Sequence, residues 1–288
     1  MMLISDVVLT TIISLTALGT VAAIILYYAS QKFKVYEDPK INEVEEALPG
    51  ANCGACGFPG CRGFAEAIVK ADNFNDLNCP VGGNETMQKV AEILGQEMNA
   101  VDEQVAVVRC NGTANHRRKV NVYDGASSCA IATLLYAGET DCQYGCLGFG
   151  DCVQACEFDA LHMDLKTGLP VVTDDNCTAC NACVEECPKD IIELRKKNKK
   201  DRKIFVSCIN QDKGPVAKKA CEVACIGCGK CVKVCPYDAI TLENYLAYID
   251  PYKCKLCRKC VEECPTSAIL EVNFPPRKRK KEDEKATA

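Results

Sequence analysis

The stretch CIGCGKCVKVCP, residues 225–236, decides the fold of its half of the chain, and CKLCRKCVEECP at 254–265 repeats its pattern. Both read C-x2-C-x2-C-x3-C-P, the spacing with which cysteine thiolates surround a cubane [4Fe-4S] cluster. Where two such runs share a fold, the fourth cysteine of each run ligates the cluster of the other. The predicted ligand sets are therefore Cys225, Cys228, Cys231 with Cys264, and Cys254, Cys257, Cys260 with Cys235.

The same arrangement occurs once more, 79 residues earlier in the chain. DCQYGCLGFGDCVQAC (141–156) aligns without a gap on ACEVACIGCGKCVKVC (220–235), and a second run follows at 177–188. Phe149 stands where the repeat has the ligand Cys228, so one thiolate is missing and we expect Cys142 to supply it. Glu157 replaces the usual proline after Cys156, which removes no ligand. The predicted sets are Cys142, Cys146, Cys152 with Cys187, and Cys177, Cys180, Cys183 with Cys156.

A third type of cysteine group precedes both repeats, in LPGANCGACGFPGC (48–61) and NCPVGG (78–83). Glycines at 54, 57 and 60 allow tight turns that bring backbone N–H groups close to cluster sulfurs. A helix is expected to follow, with Met87, Val90, Ala91 and Leu94 on one face. A zinc site is the alternative to a cluster here. The predicted ligands are Cys53, Cys56, Cys61 and Cys79.

Four of the 24 cysteines remain outside these sets, and their spacing is wide. Cys129 and Cys208 occupy the same repeat position, each in S-C-x12-C, which suggests a shared structural role. Two interpretations stay open, a sixth cluster or buried free thiols. The residues concerned are Cys110, Cys129, Cys208 and Cys221, so at least five clusters are expected and a sixth is conceivable.

Residues 7–28 contain no charged side chain and, as a helix, span roughly 33 Å, enough to cross the hydrocarbon core of a bilayer. Asp6 precedes this stretch, whereas Lys32 and Lys34 follow it, which favours an uncleaved anchor over a signal peptide. The positive-inside rule places the bulk of the chain in the cytoplasm, on a single-pass anchor in the cell (inner) membrane. Disulfides are disfavoured in that reducing compartment.

Composition excludes other classes of function. A formal charge of −5 gives no footprint for nucleic acid, and the two histidines, His116 and His162, lack the spacing of metal ligands. No residue stands out as a nucleophile or general acid, so no catalytic residue is predicted. The basic stretch 195–203 is expected to be a solvated hairpin loop between β-rich runs at 190–194 and 204–207, or else a dock for an acidic carrier protein.

The predicted fold class is α+β: a transmembrane helix, a small iron-sulfur module and tandem two-cluster ferredoxin-like units. The expected segments are an anchor (1–30), a linker (31–45), the four-cysteine module (46–100), a connecting segment (101–128), ferredoxin-like unit 1 (129–194), the basic loop (195–203), ferredoxin-like unit 2 (204–274) and a disordered tail (275–288).

These motifs in this order resemble the B subunit of the Rnf ion-translocating oxidoreductases. The resemblance rests on the membrane helix, LPGANCGACGFPGC, VVRCNG, YGCLGFGDCVQAC and the tandem ferredoxin motifs, and it covers the chain except the basic tail. It implies a polyferredoxin arm that takes electrons from soluble ferredoxin. The expected partners are flavin-bearing and other membrane subunits of a complex that couples ferredoxin–NAD electron transfer to Na+ or H+ translocation.

Two other functions remain open at this point. The chain could be the electron-input subunit of a different membrane reductase or hydrogenase, because ferredoxin motifs occur in many complexes. A zinc-stabilised interaction scaffold is the third reading. In either redox reading the chain is a component of an enzyme rather than a complete one.

Overall fold

The computed structural model describes residues 2–33, 38–71, 73, 76–135 and 138–276. Helix α1 runs from Met2 to Lys32, and its part from Leu9 onward is long and apolar enough to cross a membrane, by length and composition. Large apolar side chains on every face are exposed, for example Leu18 at 71% and Leu26 at 69%. A helix that is apolar all round needs an apolar surrounding, which agrees with the predicted anchor. Lys34, used to orient the anchor, lies outside the described residues.

The four-cysteine module is built from three helices, α2 (Pro39–Ala47), α3 (Cys61–Lys70) and α4 (Gly83–Leu94). Phe64 and Ile68 of α3 are fully buried, against Val44 of α2 and Val90 of α4. Helix α4 buries Met87, Val90 and Ala91, as its sequence predicts. Because α2 begins at Pro39, the predicted linker 31–45 is in part a packed helix of this module.

Each ferredoxin-like unit consists of an antiparallel strand pair, a separate antiparallel hairpin and two short helices. In unit 1 the pair is β1 (Gln104–Val108) with β4 (Ile192–Lys196), and the hairpin is β2 (Leu161–Asp164) with β3 (Leu169–Val172). In unit 2 the pair is β5 (Lys203–Val206) with β8 (Ile269–Val272), and the hairpin is β6 (Ile240–Glu243) with β7 (Leu246–Ile249). The first and last strands therefore close each unit.

The helices of the two units also correspond. Helices α6 (Asp151–Gln154) and α7 (Ala182–Glu185) of unit 1 match α9 (Lys230–Val234) and α10 (Lys259–Glu262) of unit 2, each inside a cysteine run. An extra helix precedes the first run of each unit, α5 (Cys129–Leu135) in unit 1 and α8 (Gly214–Ala220) in unit 2. The mixed architecture with an N-terminal apolar helix confirms the predicted fold class.

Two further segments differ from those expected. Unit 1 begins at β1, inside the predicted connecting segment 101–128, because its last strand needs a partner from that region. The basic stretch 195–203 is not a hairpin loop: β4 pairs with β1 and β5 pairs with β8, so the stretch joins two units. Three of its lysines are in ion pairs, Lys196 with Asp102 at 2.7 Å, Lys197 with Asp201 at 3.6 Å and Lys203 with Asp174 at 2.5 Å. From residue 277 on, the predicted disordered tail lies outside the described residues.

A buried polar network joins the two units. Arg195 of β4 is 3% exposed and donates to the carbonyl oxygens of Ile204 (3.1 Å) and Ile249, both in unit 2. Glu193 lies 2.9 Å from its guanidinium and 3.1 Å from that of Arg109. Arg109 in turn donates to the carbonyl oxygen of Cys208 at 3.3 Å. Breaking a buried ionic network of this kind is strongly destabilising. Because Arg109 and Arg195 belong to unit 1 and their carbonyl partners belong to unit 2, the network holds the two units together.

Candidate functional site

All 24 cysteines lie in the described part of the chain, and none is in a disulfide. Twenty of them line five cavities, four to a cavity, and the other four lie together in unit 1. Within the described residues, no three Cys, His or carboxylate side chains converge on a point where a single ion would sit. A zinc site needs that convergence, with sulfur about 2.3 Å from the ion. Four sulfurs spread around a cavity suit a cluster better.

The module's cavity, about 320 Å³, is lined by Cys53, Cys56, Cys61 and Cys79. The side-chain oxygen of Asn52 accepts the Cys61 backbone N–H at 2.8 Å, which fixes the start of α3. Gly60 has a φ of +103°, and a Cβ there would lie 2.8 Å from that oxygen. The Gly82 N–H points at the Cys79 sulfur from 3.4 Å. Burial, then the neighbouring thiolates, raise the pKa of Cys79, which shows that the four sulfurs are close.

Unit 2 contains two cavities with crossed ligand sets. One, of about 360 Å³, is lined by Cys225, Cys228, Cys231 and Cys264; the other, of about 310 Å³, is lined by Cys235, Cys254, Cys257 and Cys260. The last cysteine of each run therefore faces the cavity of the other run. The structure brings together both sets of four that the spacing predicts.

In unit 1, the second run also meets the predicted partner. Burial first, then the thiolates of Cys177, Cys180, Cys152 and Cys156, raise the pKa of Cys183 to about 12. The Ala106 N–H lies 3.5 Å from the Cys177 sulfur, and the Ala160 N–H lies 3.4 Å from the Cys156 sulfur. The site is therefore surrounded by Cys156, Cys177, Cys180 and Cys183.

The first site of unit 1 differs from the prediction in one position. Its cavity, about 410 Å³, is lined by Cys129, Cys146, Cys152 and Cys187, and Cys142 is not among them. The Cys129 thiol is held by the backbone N–H groups of Asp151, Phe149 and Gly150, so it lies over the loop in which Phe149 replaces the expected ligand. Cys129 therefore places a fourth sulfur at this cavity, where residue 149 contributes none.

The position of Cys129 is fixed by the start of α5. The buried carboxylate of Asp151 accepts the Ser128 hydroxyl at 2.8 Å and the Ala130 N–H at 3.1 Å. Burial acts to raise the pKa of Asp151, but the backbone N–H groups of Cys129 and Ala130 and the Ser128 hydroxyl outweigh it and hold the pKa low. The Phe149 ring packs against Tyr123, with centroids 5.3 Å apart, and leaves the cavity to the thiol.

The four remaining cysteines line a cavity of about 370 Å³ between the units, and Cys142 is one of them. The others are Cys110, Cys208 and Cys221.

Three family models match the chain at these cysteine groups. A putative Fe-S cluster model matches residues 48–80, a 4Fe-4S double cluster binding domain matches 176–238, and a 4Fe-4S dicluster domain matches 224–268. The B subunit of the Na(+)-translocating ferredoxin:NAD(+) oxidoreductase complex of Acetobacterium woodii is 44% identical over 237 residues, covering 82% of this chain and 70% of that protein. The B subunit of the ion-translocating oxidoreductase complex of Methanosarcina acetivorans is 42% identical over 250 residues, covering 87% and 93%. The chain belongs to this B-subunit family.

A further relative agrees with this membership. The B subunit of the proton-translocating ferredoxin:NAD(+) oxidoreductase complex of Clostridium ljungdahlii is 38% identical over 249 residues, 86% of each chain. The resemblance drawn from the motifs is thus confirmed, and the chain is an iron-sulfur electron-transfer subunit of an oxidoreductase complex. Other subunits of such a complex are its partners, and helix α1 agrees with association at a membrane.

The two histidines of the chain have no part in the cysteine sites. The ring of His116 is 3.0 Å from the Thr113 hydroxyl, and His162 lies exposed on β2. Family membership also argues against a hydrogenase subunit or a zinc scaffold, the two alternatives that the sequence left open.

Proposed function

We propose that the chain is the electron-input arm of a complex that couples electron transfer between ferredoxin and NAD to translocation of Na+ or H+. In this proposal α1 anchors the arm, the cysteine sites face the cytoplasm, and flavin-bearing subunits receive the electrons. The observation that carries the proposal is the continuous series of four-cysteine sites that follows the membrane helix. Five or more [4Fe-4S] clusters would supply outer-sphere electron transfer, and the protein would supply their ligands and surroundings.

We place the entry point for electrons on unit 2. Of the 24 cysteines, all within the described residues, only Cys228 and Cys257 are exposed. Exposed lysines stand next to them in the same cysteine runs, whereas the matching positions of unit 1 are Asp151, Gln154, Thr178 and Ala182. A positive surface steers an acidic carrier such as a soluble ferredoxin towards the ligands nearest to solvent. The lysines are Lys230, Lys233, Lys255 and Lys259.

The surroundings of the thiols determine how the sites are filled. Burial, followed by neighbouring thiolates, raises the pKa of Cys152 and of Cys260 to about 12, so both thiols are protonated at neutral pH before iron binds. Thiolates are the iron ligands, and filling each site therefore releases protons and adds its binding free energy to folding. Backbone N–H groups directed at the sulfurs, such as that of Ala160, raise the reduction potential.

The proposal is tested with the complete complex, purified without oxygen, and reduced ferredoxin as the electron donor. We compare Lys230→Glu/Lys233→Glu with Lys218→Glu/Lys219→Glu, which makes the same change of charge on two exposed residues of α8. The first pair should raise the KM for ferredoxin about tenfold and weaken its dependence on salt, with NAD reduction from dithionite unchanged. Equal effects of the two pairs would refute this entry point. Clusters that dithionite reduces and ferredoxin does not would refute the function.

A further inference from the structure

The cavity between the units is lined by four sulfurs from four separate segments of chain. Cys110 follows strand β1, Cys142 precedes the first cysteine run of unit 1, Cys208 follows strand β5 and Cys221 ends helix α8. None of them belongs to a short-spaced set. Three are buried, and Cys110 is largely so.

The two units contribute equivalent residues to this cavity. Cys110 and Cys208 each lie two positions after the last residue of their unit's first strand, Val108 or Val206. Cys142 and Cys221 each lie four positions before the first cysteine of the following run. Equivalent pairs from duplicated units that meet at one cavity indicate a shared site rather than unrelated buried thiols.

The walls of the cavity leave room for a bulky group beside the sulfurs. Gly112 has no side chain where a Cβ would lie 3.4 Å from the Cys221 sulfur and 3.6 Å from the Cys110 sulfur. Gly145 likewise has no side chain beside Cys142: a Cβ at residue 145 would lie 3.6 Å from the Cys142 sulfur.

Polar groups surround the four sulfurs, although the cavity is buried. Asn210 is fully buried; its backbone N–H points at the Cys208 sulfur from 3.4 Å and its side-chain amide at the Cys142 sulfur from 3.6 Å. The guanidinium of Arg117 donates to the Cys146 carbonyl oxygen and lines the same cavity. A buried amide directed at a thiol and a cation beside the thiols suit thiolates that carry negative charge, and they are costly beside inert neutral thiols.

We propose that Cys110, Cys142, Cys208 and Cys221 hold a sixth [4Fe-4S] cluster at the junction of the two units. The proposal rests on the proposed electron-transfer function and adds a site to it. It also revises the set considered from the sequence, because Cys142 takes the place of Cys129. The site connects directly to one cluster site on each side: the Cys146 N–H points at the Cys110 sulfur, and the Cys225 N–H points at the Cys208 sulfur. It therefore provides the relay between unit 2 and unit 1.

The test uses the full chain, purified without oxygen, with iron, acid-labile sulfide and EPR spins counted per chain. Wild-type protein should hold about 24 iron atoms, four for each of six sites, and no reactive thiol. The double variant Cys208→Ala/Cys221→Ala should hold about 20, and the control Ser207→Ala, at a buried neighbour lining the same cavity, should hold the full number.

The outcomes separate this proposal from the function on which it rests. A wild-type count of about 20 iron atoms per chain overturns the sixth cluster and leaves the function standing. So does a double variant that keeps all of its iron. A wild type with zinc, or with neither iron nor sulfide, overturns the function itself. The iron content of the wild-type protein tests the proposal by itself, so the test does not depend on whether the double variant folds.

Discussion

Replacing Cys129 should remove one cluster from unit 1, and a second substitution in the same protein should restore it. The structure places this thiol over the loop of residues 148–150, where the equivalent loop of unit 2 carries the ligand Cys228. Cys129→Ala therefore takes one sulfur from a site of four. We expect iron to fall from about 24 to about 20 atoms per chain, with a matching loss of sulfide.

The restoring substitution is Phe149→Cys. Residue 149 lies between Gly148 (φ +82°) and Gly150 (φ +86°), and the ligand of unit 2 lies between Gly227 (φ +64°) and Gly229 (φ +70°). Because a helix starts directly after the second glycine in both loops, a cysteine at 149 should point into the cavity as Cys228 does. Losing the aromatic contact of Phe149 with Tyr123 costs about 1 kcal/mol, which cluster binding offsets.

The assay is anaerobic iron and sulfide analysis with EPR on the single variant, the double variant Cys129→Ala/Phe149→Cys and the control Leu134→Ala. The control truncates an exposed side chain on the same helix and keeps the thiol, so its iron content should stay at about 24 atoms. Full iron content in Cys129→Ala would refute the assignment. A double variant that stays at about 20 atoms would show that the loop of unit 1 does not match that of unit 2.

Three further predictions test other parts of the structure. Arg195→Met should lower the thermal unfolding midpoint of the iron-sulfur protein by about 6–12 °C. The substitution removes a buried guanidinium from the contact between the units, which costs about 3 kcal/mol of unfolding free energy, and calorimetry measures the shift. Gly227→Ala should empty a site of unit 2, because a Cβ there would lie 2.7 Å from the Tyr245 carbonyl oxygen. Gly168→Ala, with a similar φ of +70° and nothing within 4 Å, should keep its iron, and iron analysis compares the two. Deleting residues 1–33 should move the chain from the membrane fraction to the soluble fraction and leave its iron content unchanged. The reason is that the apolar side chains of α1 from Leu9 on are mostly exposed and do not pack against the cysteine sites. Membrane fractionation and iron analysis measure the two outcomes.

The sequence predicts those ligand sets whose spacing is local. C-x2-C-x2-C fixes three ligands on one loop and helix, so the ligands of the runs beginning at Cys177, Cys225 and Cys254 can be predicted from the spacing alone. The crossed fourth ligand follows from the fold that two runs share. The membrane helix and the face of α4 follow in the same way, from hydropathy and from a period of 3.6 residues.

What the sequence does not predict depends on strand pairing. Cys110 and Cys208 are equivalent only because each follows the strand that closes its unit, and they are 98 residues apart, whereas the cysteine runs repeat at 79. The difference is an insertion in unit 1, which contains α5 and hides the relation from a single alignment offset. One signal argued against the predicted substitution by Cys142: the gapless alignment matches Cys142 with Cys221, and Cys221 belongs to neither predicted ligand set of unit 2.

The sites also differ in what must fold before they can form. The site of the module takes all four ligands from residues 53–79, so it needs only three packed helices. The site between the units takes ligands from both units, and bringing them together carries the entropy of closing a long loop. The free energy of cluster binding at that site then stabilises the contact between the two units, as the hydrogen bonds of the buried Arg195 also do. A group bound at that place therefore fixes the relative position of the clusters on either side, which is the geometry that electron transfer along the arm requires.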